Sequence, residues 1–239
     1  MYWVTGCTLV QMGQADPAFL AIREGLTAAQ KGDDPLLAAT LRGSVAWQLL
    51  VQGRYEESHN VALEAAAAIE PAGEAGQDPL AVYGSLVLQG ATAAGRSQKP
   101  GAALDLADAA GEVAARIGDA KHYECGFGPS QVVMQTTDIQ ISTEQYAEAV
   151  TAARAMPHGG AGLAPVSQAR HLTDRAAPRR WPRLGEHRKA LDLLLTAENI
   201  AGPEWVKYHS LLEQVVSELL DHDRRTPPRD LANRAGVHA

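Results

Sequence analysis

The sequence predicts an all-α protein, a stack of about five antiparallel helix pairs closed by a C-terminal capping helix. Three observations carry this. Hydrophobic residues make up 46% of the 239 positions but aromatic residues only 5%, so Ala, Leu and Val must build the interior, and Ala is the strongest helix former. A small-residue pattern recurs along the chain, and self-similarity at a fixed period is the mark of repeat architectures. Clusters of helix breakers separate the copies.

Each copy has a small residue in a first helix, a turn seven residues on, Ala or Ser five further, and small or apolar residues four and seven beyond that. The first reads Gly6, Gly13, Ala18, Ile22, Gly25; the second Ala46, Gly53, Ser58, Ala62, Ala65. The third reads Gly90, Ser97, Ala102, Leu106, Ala109. The fourth reads Thr137, Glu144, Ala149, Ala153, Met156, with Tyr146 matching Tyr55 two residues after the turn, and the fifth Pro178, Gly185, Ala190, Leu194, Ala197. Small residues in each first helix let its partner approach closely, and the second helix packs against that partner and the next pair.

Individual elements follow. Trp3–Met12 reads as a first packed helix. Gly126-Phe127-Gly128-Pro129-Ser130 leads from a loop into a helix, with Pro129 suited to its first turn. In the fifth pair Pro178 and Pro182 interrupt a first helix and predict a kink, a partly 3₁₀ stretch or disorder over His171–Leu184. Leu191–Ile200 is a second helix, and Trp205–Leu220 a further one with an apolar stripe and a charged outer face, as a terminal cap requires. Residues 1–222 form the repeat domain; 223–239 form a loosely attached tail with one short helix around Leu231.

Charge excludes some functions. Residues 1–120 carry 14 acids and 7 bases, the remainder 14 of each, which argues against a nucleic-acid binder. The stretch Arg170–Lys189 concentrates bases, and reads as a solvated face. No apolar run is long enough to span a bilayer, and the N-terminus lacks signal-peptide character, so a cytoplasmic location is expected. Cys7 and Cys125 are expected as free thiols. His122-x-x-Cys125 has no second ligand pair, so no metal or other cofactor is implied.

An enzyme would need a nucleophile with its base, paired carboxylates or a phosphate loop. Gly126-x-Gly128 lacks the rest of a dinucleotide fingerprint. His158, His187, His209 and His222 stand singly and read as surface or helix-edge residues. The chain is therefore read as non-catalytic. What remains is a surface lined by the first helices, on which Trp47, Gln131, Met134, Gln135 and Asp138 project large or hydrogen-bonding groups. Gln131, Gln135 and Asp138 fall at i, i+4 and i+7, on one face of a helix. Amides satisfy the backbone of an extended peptide, and Trp and Met offer apolar contact. These five are the candidate ligand-binding residues. The other reading is a structural scaffold for self-association without a ligand.

The small residue, turn glycine, Tyr and Ala series resembles the tetratricopeptide repeat. Gly53-Arg54-Tyr55-Glu56-Glu57, Phe127-Gly128-Pro129-Ser130-Gln131-Val132, Leu184-Gly185-Glu186-His187-Arg188-Lys189-Ala190-Leu191 and Pro203-Glu204-Trp205-Val206-Lys207-Tyr208-His209 together resemble the C-terminal repeat region of Xre-type helix-turn-helix transcriptional regulators of high-GC bacteria. The resemblance implies a right-handed superhelix that binds a peptide, small molecule or partner protein in its groove. It also implies a homo-oligomer, or pairing with a full-length relative. The N-terminal DNA-binding domain of such regulators is not in this sequence, so direct sequence-specific DNA binding is not expected. The family phrase usually continues Phe-Gly-Pro-Thr-Asn-Val and then a histidine; Gln131 and Gln135 replace the asparagine and the histidine.

Overall fold

The computed structural model describes residues 1–177, 187–207, 209–222 and 226–237. Among these the protein is all-helical apart from one short hairpin, with 13 α-helices. Five successive pairs pack side by side: α1 (Tyr2–Gln11) with α2 (Ala15–Ala29), α3 (Pro35–Val51) with α4 (Tyr55–Ala67), α5 (Gln77–Arg96) with α6 (Pro100–Ile117), α7 (Pro129–Ser142) with α8 (Tyr146–Ala153), and α9 (Pro165–Ala176) with α10 (His187–Ala201). The first helices also touch in order, α1 to α3, α3 to α5, α5 to α7 and α7 to α9. No helix among the described residues is long and apolar enough to cross a membrane.

The turns within the first four pairs are copies of one another. Each has a left-handed residue, Gly13 (φ 70°), Gly53 (φ 77°), Gln98 (φ 59°) and Glu144 (φ 61°). The following N–H reaches back five residues in every case, Gln14 to Leu9, Arg54 to Leu49, Lys99 to Ala94 and Gln145 to Gln140, which satisfies a carbonyl at the end of the first helix. Five residues past each left-handed residue the helix is sealed by Ala18, Ser58, Ala103 and Ala149, all buried. Four residues further, Ile22, Ala62, Ala107 and Ala153 are buried too. This corrects the third copy of the sequence pattern by one position. Its turn residue is Gln98, not Ser97, and Ala91, Ala103, Ala107 and Ala110 are buried while Ala102 and Ala109 are exposed. Without a glycine to mark the left-handed position, the sequence pattern places the turn one residue early.

Close packing explains the small residues. A Cβ on Gly6 would lie 2.5 Å from Ile22 Cγ1, and one on Gly90 would lie 2.7 Å from Leu63 Cδ2. Ser58 Oγ donates to the Ala46 carbonyl at 2.7 Å, tying the second helix of the pair to the first. The central core runs through α5 and α6, where Ala81, Ala91, Ala94, Ala103, Ala107 and Ala110 meet Leu86, Leu88 and Ile139.

An unexpected feature joins the third and fourth pairs. β1 (Ala120–His122) and β2 (Cys125–Phe127) form an antiparallel hairpin, with Ala120 opposite Phe127 and His122 opposite Cys125. Its two turn residues, Tyr123 (φ 48°) and Glu124 (φ 60°), are both left-handed, as the tightest hairpin turn requires. Three-residue strands are too short to show a two-residue period, and Tyr-Glu lacks the Asn-Gly signature. The hairpin places Phe127 in the core against α5, where a Cβ on Gly84 would overlap its ring. Gly128 (φ 152°) then turns the chain into α7 at Pro129. Asp119 caps that helix from outside, accepting from Ser130 N at 2.8 Å and Ser130 Oγ at 2.6 Å. At the other end of the hairpin, Tyr123 Oη donates to Asp34 Oδ2 at 3.1 Å. Asp34 itself caps α3 by accepting from Leu36 N and Leu37 N at 3.0 and 3.1 Å, a cap contributing about 1 kcal/mol.

At the C-terminal end the expected single helix over Trp205–Leu220 is two: α11 (Pro203–Val206) and α12 (Ser210–His222). His209 starts the second, its Nδ1 accepting from Leu212 N at 3.3 Å, and its ring lies against Trp205 with centroids 4.5 Å apart. His209 is thus a partly buried helix-edge residue that caps α12. The helix expected around Leu231 is α13 (Thr226–Ala235), and it is docked rather than loose. Leu231, Ala232 and Ala235 are buried in the second core with Val215 and Leu219, and Arg234 grips Glu198 of α10 through two bonds of 2.5 and 2.7 Å. His171–Ala176 is regular helix; Pro178 and Pro182, on which the expected kink rests, lie outside the described residues.

Candidate functional site

The polar side chains of α7 meet the ends of α5 and α9, and there a charged cluster forms inside the protein. Asp138 sits on α7 with 1% of its surface exposed. Arg96, in the last turn of α5, donates from Nη2 to its Oδ1 at 2.5 Å. Arg170 of α9 places Nη2 3.0 Å from its Oδ2. Burial alone would raise the Asp138 pKa, but Arg170 and Arg96 outweigh it and hold the carboxyl below its ordinary value. Asp138 reciprocally raises that of Arg96. One turn before Asp138, Gln135 Oε1 accepts from Thr92 Oγ1 of α5 at 2.9 Å.

Two further polar groups on α9 lie beside this triad without partners among the described residues. Asp174 is 1% exposed and His171 3%; neither oxygen of the first nor either ring nitrogen of the second has a hydrogen-bond partner. Burial, then the neighbouring charge of Asp138, pushes Asp174 up to about 8. Burial, then Arg175, pushes His171 down to about 4. His209 is likewise brought down to about 4, chiefly by burial and then by Arg170. The two arginines thus favour the charged form of Asp138, while burial favours the uncharged forms of Asp174, His171 and His209.

The five residues read from the sequence have different situations. Gln131 and Gln135 are half-buried on α7, and Gln131 Oε1 is shielded from solvent with no partner. Met134 is buried, at 2%. Asp138 is buried and serves the two arginines. Trp47 stands apart on α3, partly buried against Val10, Ala18 and Ile22. Gln135 and Asp138 turn towards α5, through Thr92 and Arg96, and Asp138 also towards Arg170 of α9.

Sequence reasoning missed Arg96, Thr92, His171 and Asp174 as members of this group. It placed Arg170 on a solvated basic face, whereas the structure turns it onto Asp138 with its side chain 25% exposed. A signal existed in Thr92 and Arg96, spaced i, i+4 at the end of a helix rich in apolar and small residues. Their partners, 43 and 42 residues on, could not be read from it.

Neither cysteine is activated. Burial pushes the Cys125 thiol up to about 11 and raises that of Cys7 as well, so both are thiols near neutral pH. His122 Nδ1 is 2.5 Å from Asp78 Oδ1. Among the described residues no group of three or more His, Cys, Asp or Glu could hold a metal ion. A shallow cleft of about 360 Å³ lined by Glu213, Gln214, Ser217, Glu218 and Val237 lies on α12, away from the charged cluster. No protein-family model matches the sequence, and no curated protein matches it either.

Proposed function

We propose that this protein is a non-catalytic binding module, a tetratricopeptide-like right-handed superhelix in which α12 caps the stack. Its first helices would form a concave face that takes a peptide, a small molecule or a partner protein. The observation that supports this best is the α7 row. Gln131 and Gln135 stand half-open beside Arg96 and Arg170, and each arginine places only one nitrogen on Asp138. Asp138 is then the buried anchor that orients the two guanidinium groups, while the amides and the remaining N–H donors meet the ligand. In line with the resemblance to regulator repeat regions, the module acts as a sensor or by pairing with a relative that carries a DNA-binding domain.

A self-association scaffold is the second reading. It is favoured by α1, which has no charged residue, and by the exposed Tyr2, Val4, Phe19 and Leu20 on α1 and α2.

One experiment separates the two. Peptides and metabolites are screened by thermal shift, and every hit is titrated into wild type and the Gln131→Ala/Gln135→Ala double variant. Loss of two neutral hydrogen bonds, about 0.5–1.5 kcal/mol each, should weaken binding roughly tenfold. Unchanged affinity for every hit, with light scattering showing a concentration-dependent dimer, would move the assignment to the scaffold.

A further inference from the structure

Asp174 is buried on α9, and among the described residues no group bonds to it. A buried carboxyl without a partner costs far more ionised than protonated, and an unpaired buried polar group in a folded protein calls for an explanation. The surroundings say which form it takes. From α7 it faces Asp138, a carboxylate. From the end of α5 comes Arg96, and from its own helix Arg170. Both arginines are engaged by Asp138, and neither donates to Asp174. His171 and Arg175 also lie on α9, and His209 stands ahead of α12; the two histidines are neutral near pH 7. Ala176 and Ala177 join an apolar core with Ala190 and Leu194 of α10 and Leu212 and Val216 of α12.

We propose that α9 is held on α7 by an uncharged Asp174, and that loss of this one proton loosens the α7–α9 junction. Ionisation puts a second negative charge beside Asp138, whose carboxylate already engages both arginines. The junction relieves it by opening α9 to water, which also frees Arg170 from Asp138. The device lies at the border of the Gln131–Gln135 row but does not depend on any ligand there.

The sign of the pH dependence follows. Asp174 has its folded pKa raised, from an ordinary 3.8 to about 8. Its contribution is fully present below the unfolded value and declines as pH rises towards 8. His171 and His209 have folded values lowered from 6.5 to about 4, so their contribution is present above 6.5 and lost as pH falls towards 4. Between pH 6.5 and 8, then, Asp174 acts without them. Unfolding releases its proton, and the unfolding constant rises about tenfold per pH unit.

The test compares thermal and urea unfolding of wild type and Asp174→Asn from pH 6.5 to 8.5, with the Asp174 carboxyl carbon of wild type followed by NMR. Wild type should lose stability through this window, and the variant, whose amide copies the neutral acid, should show a much flatter profile. Hydrogen exchange of α9 amides, referenced to those of α3 to remove intrinsic pH effects, should rise above pH 8 in wild type only. A carboxyl that titrates near 4 would overturn the proposal even if the variant fails to fold. So would a variant with the wild-type slope.

Discussion

The junction of α5 with α6 and that of α7 with α9 solve the same problem with opposite chemistry. Between α5 and α6 the space is closed by alanine, and the contact is apolar: Ala81, Ala91, Ala103, Ala107 and Ala110 are each at most 1% exposed. Between α7 and α9 the space holds Asp138, Asp174, His171 and the heads of Arg96 and Arg170. An apolar junction of small side chains depends on shape alone, because there is little to adjust if an atom is added or removed. A charged junction depends on protonation and on keeping every charge matched, since taking ions from water costs several kcal/mol per ion. The first suits a permanent scaffold and the second a surface that responds to its surroundings.

The largest expected effect breaks the apolar side. Phe127 is 2% exposed and fills the space over Gly84. Phe127→Ala should cost about 3–5 kcal/mol, read by urea unfolding. Gly84→Ala adds a methyl group that would overlap the ring and should cost about 1–3 kcal/mol by overpacking. Combined with Phe127→Ala, that same methyl enters a cavity, so the double variant should be less destabilised than the sum. Additive losses would mean that Phe127 and Gly84 do not meet as described.

Next comes the charged side. Arg170→Met removes one of the two cations of Asp138 and should cost about 1.5–3 kcal/mol, as for a hydrogen bond to a charged group. Adding Asp138→Asn removes the charge left short of a partner, so the double variant should recover part of the loss. High salt should leave the Phe127 series unchanged and narrow the Arg170 difference, because Arg170 is partly exposed. If Arg170→Met unfolds no more readily than wild type, the ion pair contributes nothing and the contrast between the junctions fails.

These two sides also differ in how far they could be read from the sequence. Alanines and glycines at fixed distances from a turn announce an apolar helix pair, because both the spacing and the residue size repeat. That is why Ala18, Ala62, Ala149 and Leu194 were placed correctly. The pattern failed where Gln98 took a left-handed position usually marked by glycine, and the third copy slipped by one. The Phe127-Gly128-Pro129 phrase was seen as a way into a helix, but its hairpin was not, since three-residue strands carry no visible period. The charged cluster was least legible. Asp138 lies 42 residues from Arg96 and 32 from Arg170, and only the packing of three helices shows that they meet.

The smallest effect sharpens a comparison within the apolar half of the problem, that of the turns. Gly13 and Gly53 take left-handed positions without strain, while Gln98 and Glu144 occupy the same place with side chains. For an L-residue this conformation costs roughly 1–2 kcal/mol, partly offset because glycine loses more freedom on folding. Glu144→Gly should therefore stabilise by about 0.5–1 kcal/mol, which for a chain of this size raises Tm by roughly 1–4 °C. Gly53→Ala should do the reverse. Gln98→Gly is expected to gain less than Glu144→Gly, since Gln98 Nε2 donates to the Ser142 carbonyl at 2.8 Å and so fastens the third turn to the end of α7. Scanning calorimetry of the three variants orders them. If Gln98→Gly gains as much as Glu144→Gly, the bond to Ser142 contributes nothing, and the side chain at the third turn is tolerated there rather than useful.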